Sequence, residues 1–450
     1  MRAVSLVDHL EFDFNGNILK QGLALGDVDN DGLNELVVGG ENGDLFVFKG
    51  ENKWVSLSGL GFITSVVIGD ILNCGKNSLV VITADGWCYI YNIYTEVESQ
   101  VDEGVDQVDG QIFSSESLES EKSQSSESVM NTPVIDKEKV ELRRVHLQRI
   151  PANTKDVLLA DVDGDGCLEL VIGLTDRIVR SYRWINATET SGNLMCMNKW
   201  ECAKQIGSIT LHHSKDEVPA LLVAQPGGTF MRIICQAEDI CPSLETTGEH
   251  SDSGSSRTDS LAGSKIDYQF LGISRTRNQN ISTEIVGNLS TKKDERKGNS
   301  YTVATLDGTI MLVHDEIILW SIAVDHQIFS LHKMDITNSG SDNIIACSWD
   351  GQTYILDQDK NSVRFHFGES VQAFNCGFYN AYDNLNTTCF VYVTFRNKIY
   401  LYYDIPLKKM LCQKFEPDLS KLKDVLVDEN LDQKSKNELV EFLLYGVKNV

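Results

Sequence analysis

The stretch Glu35–Gly50 reads ELVVGGENGDLFVFKG and consists of two apolar runs joined by the dipeptide Asn42-Gly43. Asn-Gly readily takes positive φ at both central turn positions, which is the twist that a two-residue hairpin turn requires. The stretch therefore predicts a β-hairpin. Six further stretches have the same layout of apolar run, polar turn and apolar run: Ser78–Ile93, Glu169–Trp184, Ala220–Cys235, Ser300–Asp315, Asn343–Gln358 and Cys389–Asp404.

The hairpins recur along the chain as a repeat. Where the repeat is shortest, the turns are about 45 residues apart, and longer steps leave room for insertions. An apolar segment precedes each hairpin, as in Ala24–Asp27, and another follows, as in Trp54–Leu57. Four strands per unit in seven units predict an all-β protein, a seven-bladed β-propeller. An open solenoid is the alternative; a closed ring further predicts that Val4–Phe12 adds a strand to the final blade.

The composition limits the class of protein. The chain has 450 residues, a formal net charge of −25, 34 glycines and only 7 prolines. Abundant glycine with little proline suits many tight turns between short strands. A surface this acidic repels phosphate groups, which argues against nucleic acid or an anionic membrane as the main partner.

Two polar insertions and a tail accompany the predicted propeller, which we expect over residues 1–408. Residues from about 97–145 and 237–280 are rich in Ser and Glu and poor in apolar side chains, so we expect disordered loops there. These loops are either solvated filler or phosphorylatable docking segments. In the tail, 417–450, Leu and Val recur at helical spacing. We expect two short helices that either pack on the propeller or present an apolar stripe to a partner.

Two acidic loops contain the sharpest motif of the chain. Asp27–Glu35 reads DVDNDGLNE and Asp161–Glu169 reads DVDGDGCLE. Carboxylates at positions 1, 3, 5 and 9 point to one centre, and glycine at position 6 permits the tight turn. Such a ligand set suits Ca²⁺ or a similar hard cation; the alternative is an acidic turn whose side chains cap backbone N–H groups. The predicted metal ligands are Asp27, Asp29, Asp31, Glu35, Asp161, Asp163, Asp165 and Glu169.

Two further loops are weaker copies of this motif. Asp70–Ser78 reads DILNCGKNS and Asp335–Asn343 reads DITNSGSDN. Each keeps a single carboxylate among positions 1, 3, 5 and 9. We expect both to be structural turns without metal.

No catalytic motif is present in the sequence. The patterns HExxH, GxSxG and GxxxxGK[ST] are absent, and the acidic loops lie between strands rather than around one cavity. We therefore predict a non-enzymatic binding scaffold. The N-terminus lacks a signal-peptide pattern, no apolar run approaches about 18 residues, and the eleven cysteines form no CxxC pair, so we expect a cytoplasmic protein.

The acidic loops, each followed by LVVG or LVIG, resemble the FG-GAP repeats of integrin α-chain propellers. The resemblance implies that the acids at positions 1, 3, 5 and 9 of both loops bind calcium. It also supplies an alternative function, that of a calcium-binding, integrin-like adhesion or ligand-binding propeller.

A closer likeness covers most of Met1–Asp404. The stretches LGDVDNDGLNELVVG, IPANTKDVLLADVDGDGCLELVIGLTDRIVRSYRW and ACSWDGQTYILD resemble the intracellular integrin-α FG-GAP repeat-containing protein 2 family. The resemblance implies a subunit of the KICSTOR complex, with a kaptin-like propeller protein and a very large scaffold subunit as partners. It further implies a peripheral position at the lysosomal membrane and recruitment of a GATOR-type complex that acts on Rag GTPases. Through that complex, the family restrains TOR kinase when amino acids or glucose are scarce.

Overall fold

All seven predicted hairpins are present in the computed structural model. The first strand of most hairpins is buried along its whole length, as in Glu35–Gly39 and Ser78–Thr83. The turns use residues with positive φ, and Gly351 shows why glycine is needed at some of them. Its φ is +83°, and a Cβ at this position would lie 2.2 Å from the carbonyl oxygen of Phe367. The positive φ falls on the glycine alone, as at Gly43 and Gly351, so the expectation of positive φ at both residues of the Asn-Gly and Asp-Gly pairs is wrong, although the glycines are needed as predicted.

The structure describes residues 2–96, 139–186, 192–235, 265–271, 280–291, 299–382, 384–405 and 407–410, together with 434, 435, 438 and 442. The chain divides into two compact units, Met1–Lys408 and Lys409–Val450. In the second unit, Lys434, Ser435, Glu438 and Phe442 are helical. The rest of the helical tail predicted for 417–450 lies outside the described residues.

Within those residues, 29 strands form seven sheets. The first two strands are β1 (Arg2–Val4) and β2 (His9–Asp13). Blade 1 contains β3 (Leu23–Gly26), β4 (Glu35–Gly39), β5 (Leu45–Lys49) and β6 (Asn52–Leu57). Blade 2 contains β7 (Ile63–Gly69), β8 (Ser78–Thr83), β9 (Trp87–Glu96) and β10 (Lys139–Arg149). Blade 3 contains β11 (Thr154–Ala160), β12 (Glu169–Leu174), β13 (Ile178–Asn186) and β14 (Gly192–Glu201).

The remaining four blades follow the same order. Blade 4 contains β15 (Ile209–His213), β16 (Pro219–Gln225), β17 (Thr229–Ile234) and β18 (Lys265–Phe270). Blade 5 contains β19 (Thr283–Leu289), β20 (Ser300–Thr305), β21 (Thr309–His314) and β22 (Ile317–Ala323). Blade 6 contains β23 (Ile328–Met334), β24 (Asn343–Ser348), β25 (Gln352–Leu356) and β26 (Ser362–His366). Blade 7 contains β27 (Val371–Tyr379), β28 (Thr387–Thr394) and β29 (Lys398–Tyr402). The chain is therefore a seven-bladed β-propeller, as predicted.

The N-terminal segment closes the ring. Strand β2 pairs antiparallel with β29 and completes blade 7 as its fourth strand, with Leu10 opposite Leu401. The predicted closing strand is thus present, but it spans His9–Asp13 rather than Val4–Phe12. Strand β1, which the sequence did not reveal, adds to blade 6 as a fifth strand parallel to β26. The first thirteen residues therefore join blades 6 and 7 through backbone hydrogen bonds.

The predicted insertions were too wide at their C-terminal ends. Residues 139–145 belong to β10, which pairs with β9, and residues 265–270 form β18, which pairs with β17. Both are the outer strands that blades 2 and 4 need to reach four strands, and polar side chains on their exposed face hid them in the sequence. Of the predicted loops, residues 97–138, 237–264 and 272–279 lie outside the described residues.

The hydrophobic core lies between blades. One cluster combines Val37 of blade 1 with Leu79 of blade 2, and another combines Leu36 of blade 1 with Val391 of blade 7. Because each sheet covers the face of the next, every blade depends on both neighbours for its burial. Among the described residues, no helix combines the length and apolar character that crossing a bilayer would require.

Weakening the closing strand should destabilise the whole ring. Phe12 is 6% exposed, and its ring centroid lies 4.4 Å from that of Phe48 in blade 1. We expect Phe12→Ala to lower the free energy of unfolding by about 3 kcal/mol, measured by urea denaturation, because it leaves a cavity between blades 7 and 1. The control is Glu11→Gln on the exposed side of β2, which should keep the wild-type midpoint. Equal midpoints for both variants would contradict a closing role for β2.

Candidate metal centres in two acidic loops

Four loops between the first and second strands of a blade share one turn. They are Asp27–Glu35, Asp70–Ser78, Asp161–Glu169 and Asp335–Asn343, in blades 1, 2, 3 and 6. In each, the aspartate at position 1 accepts hydrogen bonds from the backbone N–H groups of positions 5 and 6, at 2.6–3.2 Å. Position 1 therefore shapes the turn in all four loops, including the two predicted to be structural turns.

The loops of blades 1 and 3 bring three predicted ligands each within ligand-atom distances of 4.8 Å. Glu35 is fully buried, and Glu169 is 2% exposed. In both glutamates Oε2 accepts a hydrogen bond from the backbone N–H of position 2, at 3.0 Å, which leaves Oε1 for the centre of the loop. The two sets are Asp27, Asp29 and Glu35, and Asp161, Asp163 and Glu169.

A lysine occupies the centre of the blade 1 loop. Lys49, the last residue of β5, places Nζ 2.6 Å from Asp29 Oδ2, 2.6 Å from Asp31 Oδ2 and 3.2 Å from Glu35 Oε1. The same Nζ lies 4.6 Å from the ring centroid of Trp54. The ammonium group therefore supplies the counter-charge that the buried Glu35 carboxylate needs.

An arginine occupies the same place in the blade 3 loop. Arg183 lies in β13 directly opposite Glu169, and its side chain is 10% exposed. Nε donates to Glu169 Oε1 at 2.6 Å, Nη1 to Asp165 Oδ2 at 2.6 Å and Nη2 to Asp163 Oδ2 at 3.1 Å. Nη2 also contacts Glu169 Oε1, so the planar guanidinium group contacts all three carboxylates and grips Glu169 with two nitrogens.

Burial and pairing have opposite effects on the titration of these groups. Burial raises the pKa of Glu35 and of Glu169 to about 7. The hydrogen bond from the backbone N–H of position 2 lowers each pKa, but by less than burial raises it. Burial also acts against the positive charge of Lys49 and of Arg183, but hydrogen bonds to the loop carboxylates outweigh it and hold the pKa of both above its ordinary value. The two basic side chains are therefore cations at neutral pH.

A divalent cation fits these loops only if the basic side chain moves away. Ca²⁺ takes about 6–8 oxygen ligands at roughly 2.3–2.6 Å. In both loops the point nearest the position 3, 5 and 9 carboxylates is held by a side-chain nitrogen instead. The structure thus brings together three of the four predicted ligands in each loop, Asp31 and Asp165 lying outside these groups, and calcium binding at the eight residues stays a prediction.

Lys49 and Arg183 were not predicted as residues of these sites, although the sequence contains a signal for them. Each lies fourteen residues after the position 9 glutamate, and the hairpin turn falls midway between the two. An antiparallel hairpin places residues at equal distances from its turn opposite each other. Working out that register would have placed a base beside each acidic loop.

The loops also join neighbouring blades through an asparagine at position 4. Asn30 Oδ1 accepts from the backbone N–H of Asn77 at 2.7 Å, and its Nδ2 donates to the Asn77 carbonyl at 3.1 Å. Asn73 makes the same reciprocal pair with Leu168, at 2.7 and 3.2 Å. Both asparagines have positive φ, +65° and +52°. Side-chain to backbone hydrogen bonds therefore connect the loop of blade 1 to that of blade 2, and the loop of blade 2 to that of blade 3.

A second group of charged residues surrounds a cavity of about 350 Å³ at the start of the innermost strands, beside the 3-10 turn Lys20–Gly22. Lys20 Nζ lies 2.5 Å from Glu284 Oε2 in blade 5. Gln21 Nε2 donates to Asp156 Oδ1 in blade 3, and the backbone N–H of Ile209 in blade 4 donates to Asp156 Oδ2. These polar groups are paired within the chain: the turn bonds to blades 3 and 5, and Asp156 in turn connects blade 3 with blade 4.

Asp156 should make the stability of the ring depend on pH. Burial raises its pKa to about 7, so the folded protein holds a proton that the unfolded chain releases near the ordinary value of 3.8. Stability therefore falls as pH rises from about 4 to about 7. We measure the free energy of unfolding in urea at several pH values across this range. Its fall with pH should be smaller in Asp156→Asn by the contribution of about one proton, or roughly 1.4 kcal/mol per pH unit. Identical slopes in the variant and the wild type would contradict this assignment.

Comparison with known proteins agrees with the resemblance read from the sequence. The profile of the family described as integrin-alpha FG-GAP repeat-containing protein 2 matches residues 49–407. The KICSTOR complex protein ITFG2 of Mus musculus is 36% identical over 419 residues, covering 91% of this chain and 87% of that protein. The KICSTOR complex protein ITFG2 of Bos taurus is 36% identical over 417 residues, covering 91% and 73%.

A solved structure supports the fold alone. The crystal structure of BBS1N in complex with ARL6DN, soaked with mercury, matches with a TM-score of 0.58 at 13% identity, covering 91% of this chain and 100% of that chain. The family assignment rests instead on the profile match and on the two relatives. The chain belongs to the integrin-alpha FG-GAP repeat-containing protein 2 family.

Proposed function

We propose that this chain is a non-enzymatic propeller subunit of a KICSTOR complex. The observation that carries the proposal is the 36% identity, over 91% of the chain, to relatives that are named as proteins of that complex. A likeness over 91% of the chain is far longer than one shared repeat. The function of the relatives is therefore proposed for the entire ring.

The closed ring suits a scaffold. Its seven blades share their core with both neighbours, and the position 4 asparagines and the Lys20–Gly22 turn tie blades together at the two ends of the innermost strands. Such a body keeps many loop edges at fixed positions, which lowers the ordering cost when several partners bind. The titratable groups beside the cavity, Lys20, Asp156 and Glu284, are engaged with each other or with neighbouring groups of the chain. That pairing favours a structural role over catalysis.

We further propose partners and a cellular location for this chain. The partners are a kaptin-like propeller protein and a very large scaffold subunit. The assembled complex recruits a GATOR-type Rag GTPase-activating complex to the cytoplasmic side of lysosomes and restrains TOR kinase when amino acids or glucose are scarce. The family resemblance supports this part. The strongly acidic surface, with a net charge of −25, agrees with attachment through other proteins rather than directly to an anionic membrane.

A calcium-binding, integrin-like adhesion propeller is the second candidate function. The convergent carboxylates of blades 1 and 3 are the observation in its favour. The lysine and arginine at the centres of those loops weigh against it, because each cation holds the point that a divalent ion would need.

Purification of the full chain from cells under mild conditions tests the proposal. We expect a second propeller protein and one very large protein to co-purify in a constant molar ratio, quantified by mass spectrometry, and the assembly to co-sediment with lysosomal markers. Recovery of the chain alone at the mass of a monomer would contradict a scaffold role, and secretion of the glycosylated chain would favour adhesion.

Two variants connect this experiment to the structure. If partners bind the closed ring, Phe12→Ala should co-purify with less of both proteins than the wild type, at equal expression. Glu11→Gln, on the solvent side of the same strand, should co-purify with the wild-type amounts. Equal recovery with both variants would show that the partners do not depend on the closed ring.

A further inference from the structure

We infer that Lys49 and Arg183 act as built-in cations that replace a metal ion in the acidic loops of blades 1 and 3. The loops keep the carboxylate arrangement of a cation site, and the second hairpin strand of the same blade supplies the cation. The loops are accordingly held in shape without metal, whatever the calcium concentration around the protein.

In both loops the basic side chain contacts three carboxylates at once. In blade 1 a single ammonium nitrogen lies within 3.2 Å of the oxygens of Asp29, Asp31 and Glu35. In blade 3 a single guanidinium group reaches Asp163, Asp165 and Glu169. In each loop the cation contacts the side chains of positions 3, 5 and 9. These are the oxygens left over once position 1 has capped the turn.

The acid cluster and the base occur together in the same blades. The blade 2 loop has Ser78 at position 9, and the residue fourteen positions later is Asn92; Ser78 Oγ donates to Asn92 Oδ1 at 2.8 Å. The blade 6 loop has Asn343 at position 9, and the residue fourteen positions later is Asp357. The two loops without the acid cluster therefore also lack the base. A loop that relied on a bound metal would not need a base at that position.

The position 9 glutamate is buried in both loops. Glu35 is fully buried and Glu169 is 2% exposed, so an ionised carboxylate there needs a permanent positive neighbour. A covalently attached cation is always present, whereas a metal ion is present only above its dissociation constant. With Lys49 covalently attached, the blade 1 loop keeps its shape without metal, and Asn30 keeps its hydrogen bonds to the backbone of Asn77 in blade 2.

Removal of the built-in cation should turn a metal-independent loop into a metal-dependent one. The experiment compares the full wild-type chain with the variants Lys49→Met and Arg183→Met. Thermal unfolding is followed in chelator and in 5 mM CaCl₂, which is about five times the dissociation constant of the weakest extracellular calcium sites. The matched controls are Lys53→Met in β6 and Arg180→Met in β13, whose side chains lie outside the acidic clusters.

We expect the wild type and both controls to keep the same midpoint with chelator and with Ca²⁺. Lys49→Met and Arg183→Met should unfold about 5 °C lower in chelator and recover part of that loss in Ca²⁺. If Arg183→Met fails to fold in chelator, its folding on addition of Ca²⁺ supports the inference equally. A wild-type midpoint that rises with Ca²⁺ would overturn it. So would destabilised Lys49→Met and Arg183→Met variants that do not respond to Ca²⁺.

Discussion

The pairing of β2 with β29 is the interaction on which the rest of the structure depends. Each blade of a propeller is a small sheet with two apolar faces, and it stays folded only because a neighbour covers each face. In this chain the clusters run from blade to blade, as with Val37 against Leu79 and Leu36 against Val391. The last interface can form only if the N-terminal segment returns to blade 7, with Leu10 opposite Leu401. Strand β1 extends the same segment onto blade 6.

The acidic loops shape turns and connect neighbouring blades in the ring. Their aspartate at position 1 builds a turn, and in blades 1 and 2 the asparagine at position 4 reaches across to the next blade. The carboxylates at positions 3, 5 and 9 then surround Lys49 or Arg183. The cluster is thus arranged around a cation that the chain already contains. It resembles a calcium site in sequence because the same oxygens are needed for either cation.

Local chemistry explains why so much of the fold could be predicted. The turns at Asn42-Gly43 and Asp350-Gly351 and the alternating strands beside them are properties of neighbouring residues, and the seven hairpins follow from them. Contacts between residues far apart in the chain could not be found in this way. Strands β10 and β18 are separated from their hairpins by long polar segments, and β1 is only three residues long. The role of Lys49 emerges only when the hairpin register is drawn.

The propeller is one ring closed by its own N-terminal strand, and hydrogen–deuterium exchange of the full chain tests this closure most directly. If β2 is an integral strand, the slowest amides of His9–Asp13 should exchange as slowly as those of Lys398–Tyr402, because both open only when the ring opens. Exchange of His9–Asp13 within seconds, with Lys398–Tyr402 still protected, would contradict the closed ring and the scaffold built on it.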